Sequence, residues 1–376
     1  LLQNKVIVLG GGLAGLVSAL HLAKKGIPVT VIEKNQYPKH KVCGEYISNE
    51  VLPYLQSLGF NPLVFQAKKI THFTLTTSNN KTLETQLPLG GFGISRYTLD
   101  FELAKKAKEI GVEIIEDTVV DVHFEKDSFT VQTKRNKKYS AAIVIGAYGK
   151  RSNLDVNLER GFIKKTSPFL AVKAHYRGDF PEDQVSLYNF KGGYCGVSKI
   201  ENDHINICYI ASYNSFKKYK NIDDFQSNII SKNKPLQTIL EHSELVFSKP
   251  LTISQISFAK KNPVENHILF CGDTAGLIHP LCGNGMAMAI HAAKIASEQI
   301  VDYFNGKIQS RVQLEKTYEL EWRKAFEKRL GMGRRLSILF RMNYFSEFIT
   351  LGLQLFPWIL PLIIRRTHGK YLSPLK

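Results

Sequence analysis

Within residues 5–34, KVIVLGGGLAGLVSALHLAKKGIPVTVIEK, a strand, a glycine turn, a helix and a second strand ending in an acid follow one another. KVIVLG is a short apolar run suited to a strand buried on both faces. Gly10, Gly12 and Gly15 carry the G-x-G-x-x-G spacing. The first glycine allows a tight turn, the second lets backbone approach a pyrophosphate, and the third lets the helix pack close on the strand. LAGLVSALHLAKK has apolar residues at helical spacing and is expected to stop at Gly26. Its N-terminal N–H groups would face the phosphate charge. Glu33 closes the second strand, where a carboxylate accepts the hydroxyls of an adenosine ribose, which favours FAD or NAD over NADP.

A second stretch far along the chain asks for the same ligand. Residues 268–290, ILFCGDTAGLIHPLCGNGMAMAI, read as a strand ending in Gly-Asp, a loop of small residues and a helix. A nicotinamide dehydrogenase needs only the first motif, whereas a protein that holds FAD extended across its fold uses both. The pair therefore predicts a flavoprotein.

At 376 residues the chain has room for two domains. Its five cysteines, Cys43, Cys195, Cys208, Cys271 and Cys282, form no C-x-x-C pair, which suits reduced thiols and neither a disulfide framework nor a metal site. No secretory leader pattern precedes the first strand, so the expected compartment is the cytoplasm. The net charge of +17 comes with no nucleic-acid recognition motif, and its scattered lysines read as a solvated surface. The C-terminal third differs. Lys324, Lys328, Arg329, Arg334, Arg335 and Arg341 fall on a helical stretch, and Arg365, Arg366 and Lys370 follow an apolar segment. That segment, 344–364, is long enough to cross a bilayer, but Glu347, Gln354, Pro357 and Pro361 favour an interfacial or cavity-capping helical hairpin. Peripheral attachment to an anionic membrane, or to an acidic carrier, is the partner this end predicts.

The expected fold is α/β: a discontinuous Rossmann-like FAD-binding domain, an inserted antiparallel β-sheet substrate domain and a helical C-terminus. Residues 1–70, 95–165 and 260–310 are assigned to the first, 71–94 and 166–259 to the second, and 311–376 to the third. ITHFTLTTSNNKTLETQLPL reads as a hairpin turning at Asn79-Asn80, and a helix is predicted to begin near Thr98 or Asp100 and end at Gly111.

With these motifs in place, the chain resembles the FAD-dependent oxidoreductases of the p-hydroxybenzoate hydroxylase fold, and within them the geranylgeranyl reductase branch with its related monooxygenases. KVCGEYIS (41–48) is similar to the CGE-x-x-S loop of that branch, SRYTLD (95–100) to an Arg-x-x-x-Asp at a helix start, and IVIGAYGKRS (143–152) to GADG-x-x-S. Two positions depart: Tyr148 stands for the aspartate of GADG, and Asn284 for the acid of P-x-x-G-E-G.

The resemblance implies FAD contacts from Gly10, Gly12, Leu13, Ala14, Gly15, Glu33 and Lys34 in the first motif. It adds Lys41, Cys43 and Gly44 in the CGE loop, Arg96 as a phosphate or flavin clamp, and Val120, Gly146, Ala147 and Gly149. From the second motif come Gly272, Asp273, Gly276, Pro280, Gly283, Asn284, Gly285 and Met286. It places Cys43 beside the flavin ring, as a pocket wall or a proton donor. His279 is a candidate acid or base, and Tyr188 and Tyr194 are candidate substrate contacts.

The expected activity is reduction of a carbon–carbon double bond in a hydrophobic small-molecule or carrier-bound substrate, with NAD(P)H or another reductant as electron donor. The alternatives are an oxygen-dependent monooxygenase of an aromatic or polyketide-like substrate, and a non-catalytic flavin-binding carrier or lipid adaptor. A flavin halogenase would be expected to carry W-x-W-x-I-P, but Trp322 and Trp358 are isolated.

Overall fold

In a computed structural model, which describes residues 4–164, 168–279, 283–341, 352, 356 and 358–376, the strand Val6–Leu9 lies fully buried inside a six-stranded sheet. The order is Val264–Glu265, Ile268–Phe270, Ile143–Gly146, Val6–Leu9, Val29–Glu33, Glu113–Glu116. All neighbours pair parallel except the edge pair of Val264–Glu265 with Ile268–Phe270. Parallel strands covered on both faces need apolar side chains on both, which VIVL provides. The next strand in sequence lies on one side of Val6–Leu9, and Ile143–Gly146 on the other. The connections therefore diverge there and leave a crevice beyond the carboxyl ends of the strands, where α/β sheets bind ligands.

Helix Leu13–Lys24 is buried continuously from Leu13 to Leu22, because it packs against helices Arg96–Glu109 and Gly285–Phe304. Gly15 lets this helix lie close on the strand and turn before it: a Cβ there would sit 2.0 Å from the Gly10 carbonyl oxygen. Helix Arg96–Glu109 starts before the predicted Thr98 because Ser95 caps it, its Oγ accepting the Thr98 N–H at 3.0 Å.

The second sheet has nine strands. Its path runs Glu244–Leu245, Phe169–Arg177, Ile205–Ser212, Gly193–Lys199, Gln184–Phe190, Lys68–Thr76, Thr82–Gly93, Tyr46–Ser48, with Leu251–Ser254 paired to Phe169–Arg177. The hairpin about Asn79-Asn80 is present. Tyr46–Ser48 pairs antiparallel with Thr82–Gly93, Tyr46 opposite Gly93, and Lys68–Thr76 begins before residue 71, so this sheet also draws on residues before 71. Within it, Gln184–Phe190 pairs parallel with Lys68–Thr76. One face of this sheet carries a core that includes Phe225, Ile230 and Leu236 from the 222–241 helices. The other face bounds the crevice. Helix Arg311–Arg341 packs on Gly285–Phe304, and Ile359–Thr367 packs on the Thr82–Gly93 strand. Most of 344–364 lies outside the described residues.

Candidate cofactor and substrate site

The crevice opens into a cavity of about 1440 Å³, more than the roughly 300–1,000 Å³ of a typical small-ligand pocket. Gly12, Leu13, Ala14, Glu33 and Lys34 line it from the first motif, and Gly272, Asp273, Gly283, Asn284, Gly285 and Met286 from the second. Lys41, Cys43, Gly44, Arg96, Ala147, Gly149 and Tyr194 also line it. The two glycine motifs, remote in sequence, thus share one cavity.

Its electrostatics favour an anion. Helix Leu13–Lys24 has Gly12 at its N-cap and no side chain capping its first turn, so the positive helix end faces the cavity uncovered. Beside Gly12 stand Arg96 and Lys41. Arg96 grips Asp100 with Nε to Oδ1 at 2.8 Å and Nη2 to Oδ2 at 2.7 Å, and Lys41 Nζ reaches Oδ2 at 2.8 Å. Burial pushes the Asp100 pKa up, but the two cations outweigh it and hold the carboxylate below its ordinary value. Two cations share one carboxylate, which leaves one surplus positive charge. The Nε/Nη2 edge of Arg96 is thus engaged by Asp100. Glu33 is held by the Gly11 N–H at 2.8 Å and by Asn35 through its N–H at 2.9 Å and Nδ2 at 2.7 Å. A carboxylate has acceptor sites beyond these. An uncapped helix end, surplus positive charge and an anchored acid in a large cavity fit the pyrophosphate and ribose of FAD.

The CGE loop is fastened by residues that sequence reasoning missed. Glu45 is fully buried with φ +54. Its Oε1 accepts from Lys173 Nζ at 2.9 Å and from the Arg96 N–H at 2.8 Å, and its Oε2 lies 2.7 Å from His175 Nε2. Asn206 Nδ2 donates to the Gly44 carbonyl at 2.9 Å and the Cys43 carbonyl at 3.3 Å. The available signal was the acid of CGE itself, together with Lys173 and His175 at period two in an otherwise apolar strand, LAVKAHY. Lys261 was also missed. It is buried behind Asp273, donating to the Asp273 and Lys150 carbonyls at 2.7 and 3.1 Å, and burial lowers its pKa to about 8.

Other expected contacts sit elsewhere. Gly10, Gly15 and Gly146 shape the chain without lining the cavity, and Gly276 abuts Trp322. Val120 lies in the small sheet, its carbonyl taken by Asn157 Nδ2 at 2.8 Å. Pro280 lies outside the described residues. His279 is buried behind the wall against Phe258, Tyr194 and Phe169, with ring centroids 4.6, 5.8 and 6.4 Å away. Tyr188 does not line the cavity; it points into the core on the far face of its sheet. Tyr148 donates to Asp155 Oδ1 at 2.9 Å, and Asp155 in turn pairs with Arg160 Nη1 at 3.0 Å. A carboxylate is therefore present behind the motif, supplied from seven residues on.

Asn284 lines the cavity and also reaches the C-terminal residues. Its Nδ2 donates to the Thr367 carbonyl at 2.9 Å and lies 3.4 Å from Glu50 Oε2, so its amide turns toward the C-terminus. Glu50, fully buried, also takes Arg329 Nη1 at 3.1 Å, and its carbonyl accepts the Leu372 N–H at 2.7 Å. Asn284→Asp would set two buried carboxylates side by side. It is expected to destabilise the protein by about 2 kcal/mol, read as a fall in the urea midpoint, with residues 367–372 becoming faster in hydrogen exchange. An unchanged midpoint would refute the assignment.

The comparisons agree with this geometry. Residues 3–330 match the family described as "FAD binding domain". The chain is 25% identical over 370 residues to Conditioned medium factor receptor 1 of Dictyostelium discoideum, covering 89% of this chain and 70% of that one. It is 26% identical over 333 residues to digeranylgeranylglycerophospholipid reductase of Methanosarcina acetivorans, covering 85% and 80%. Among solved structures, CmlS, a flavin-dependent halogenase, superposes with a TM-score of 0.77 at 20% identity over 87% of this chain. The chain spans 63% of that halogenase. With the family match covering most of its length, the chain belongs to the FAD binding domain family and is an FAD-dependent oxidoreductase.

Proposed function

We propose that the protein reduces a carbon–carbon double bond in a long apolar substrate. The observation that carries this reading is the far end of the cavity. Beyond the two glycine motifs it is walled by Phe73, Leu75, Leu87, Val185 and Leu187 from the large sheet, and by Phe356, Ile359, Leu360, Ile363 and Ile364 near the C-terminus. An apolar chain buried there gains about 0.8 kcal/mol per CH₂. The reductase name of the Methanosarcina relative supports the same class.

FAD, when bound, takes two electrons from a donor such as NAD(P)H and supplies hydride to the substrate. We assign FAD to the first-motif residues, the Arg96–Lys41 pair and the loop 283–286, and the substrate to the apolar end. The protein's own tasks are to hold both ligands, exclude water and furnish one proton. Of the two catalytic candidates, only Cys43 lines the cavity, so its Sγ is assigned the proton. Its backbone is fixed by Asn206.

General acid catalysis contributes roughly 10²–10⁴-fold. Cys43→Ala is therefore expected to retain FAD and lose at least a hundredfold in reduction rate; a loss under tenfold would leave Cys43 as a wall. The activity itself is tested with chemically reduced enzyme and a polyprenyl substrate without oxygen. Product heavier by two hydrogens per reduced bond supports the proposal. Product that appears only with oxygen and carries an added oxygen atom would establish a monooxygenase, and flavin binding with no turnover a carrier.

A further inference from the structure

We propose that the helix Ile359–Thr367 is a docking surface for an anionic lipid bilayer, from which the apolar end of the cavity is filled. The helix has two opposed stripes. Leu360, Ile364 and Thr367 are buried, at the i, i+4, i+7 spacing of one helical face. Leu360 and Ile364 pack with Tyr46, Ile70 and Leu87, and they line the cavity. The opposite arc carries Trp358 and Leu362, 62% and 42% exposed, flanked by exposed Arg365 and Arg366. Phe356 (51% exposed) lies with its ring 6.4 Å from Trp358, and exposed Lys370 and Tyr371 follow.

Exposed tryptophan and leucine bordered by arginine is the composition of a helix that lies in the headgroup plane. A purely solvated face would have no use for the aromatic groups, and a purely apolar protein contact none for the cations. Charge decides the occupant: the chain carries +17 overall and the arc itself is cationic, so its partner is anionic. No helix among the described residues is long and apolar enough to cross a membrane; the proposed attachment lies at the bilayer surface. Because one stripe of the helix meets lipid and the other walls the cavity, an apolar chain passes between them over the width of one helix. This traffic rests on the reading of an apolar substrate, whereas docking needs neither substrate nor turnover. Failure of docking is thus distinguishable from failure of the reductase reading.

The two tryptophans make the test direct. Trp322 is buried and Trp358 exposed in the arc. The full-length flavoprotein is mixed with vesicles of phosphatidylcholine alone, or of phosphatidylcholine with phosphatidylglycerol, bearing brominated acyl chains. On the anionic vesicles alone, tryptophan emission is expected to shift blue and be quenched, and the protein to co-sediment. Raised salt should release it, as the screening length shrinks. Trp358→Phe should abolish the quenching and keep most of the sedimentation. Arg365→Gln with Arg366→Gln should weaken partitioning roughly thirtyfold, each cation near an anionic surface counting for about a fivefold factor. Retained flavin absorbance shows that the variants are folded. Absent binding, equal binding to neutral vesicles, or quenching that persists in Trp358→Phe would overturn the proposal.

Discussion

Gly12→Val is expected to purify folded and colourless. The backbone at Gly12 is extended, with φ −79° and ψ −175°, a conformation open to any residue. A Cβ there finds its nearest neighbours at 3.7 Å or beyond: Arg96 Nη2, Lys41 Nζ and the Ala147 carbonyl. The fold therefore accepts a side chain at this position. The two branches of valine, however, would occupy the space between the helix N-terminus and the two cations, where we place the pyrophosphate. Loss of close approach to the helix N–H groups should weaken FAD at least a hundredfold, or about 2.7 kcal/mol. The flavin-to-protein absorbance ratio checks it, with circular dichroism confirming the fold. Gly15→Ala provides the contrast. Its Cβ would meet the Gly10 carbonyl oxygen at 2.0 Å, so that variant should fail in folding. Full flavin content in Gly12→Val would mean that the first motif does not hold the phosphates.

Glu45→Ala should cost about 3–5 kcal/mol of stability, because it strands a buried ammonium. Lys173 has no exposed side-chain surface, and its Nζ lies 2.9 Å from Glu45 Oε1. The double variant Glu45→Ala with Lys173→Met should recover part of the loss, since removing both partners leaves no unpaired charge. Midpoints of urea unfolding for the singles and the double measure this, and a double as unstable as the sum of the singles would refute it.

The sign of the pH dependence follows from the same contacts. Burial raises the Glu45 pKa, but Lys173 and His175 outweigh it and hold it below its ordinary 4.5. Its contribution to stability is therefore complete above about pH 4.5 and lost as pH falls through the lower folded value. The gap between wild type and Glu45→Ala should be constant near neutrality and narrow in acid.

Much of the cofactor half was legible in the chain. The turn glycines, the acid at Glu33 and the Gly-Asp strand end are local demands of a tight turn and an anchored ligand, so they surface as short motifs at fixed spacing. The Tyr188–Tyr194 pair shows where legibility stops. Both are strand aromatics near a glycine turn, but the register pairs Tyr188 with Cys195 and Asn189 with Tyr194. Residues directly opposite share a face and successive residues alternate. Tyr194 therefore meets the cavity while Tyr188 is buried in the core. A shift of one residue in the pairing would have set Tyr188 opposite Tyr194 and put both on one face.

Local pattern alone determined the strand–turn–helix of the first glycine motif, the return of the chain at Ile268–Phe270, and the cationic, apolar character of the C-terminus. Only the tertiary structure decided that Lys41 joins Arg96 on Asp100, that Asn284 turns to Thr367, and that Glu45 is neutralised by residues 128 and 130 positions away. The physical reason is range. Backbone turns and amphipathic periods are set by neighbours within a few residues. The partner of a buried charge is chosen by which side chains the packed sheets bring within about 3 Å, and one sequence contains many lysines and histidines that could have filled that place.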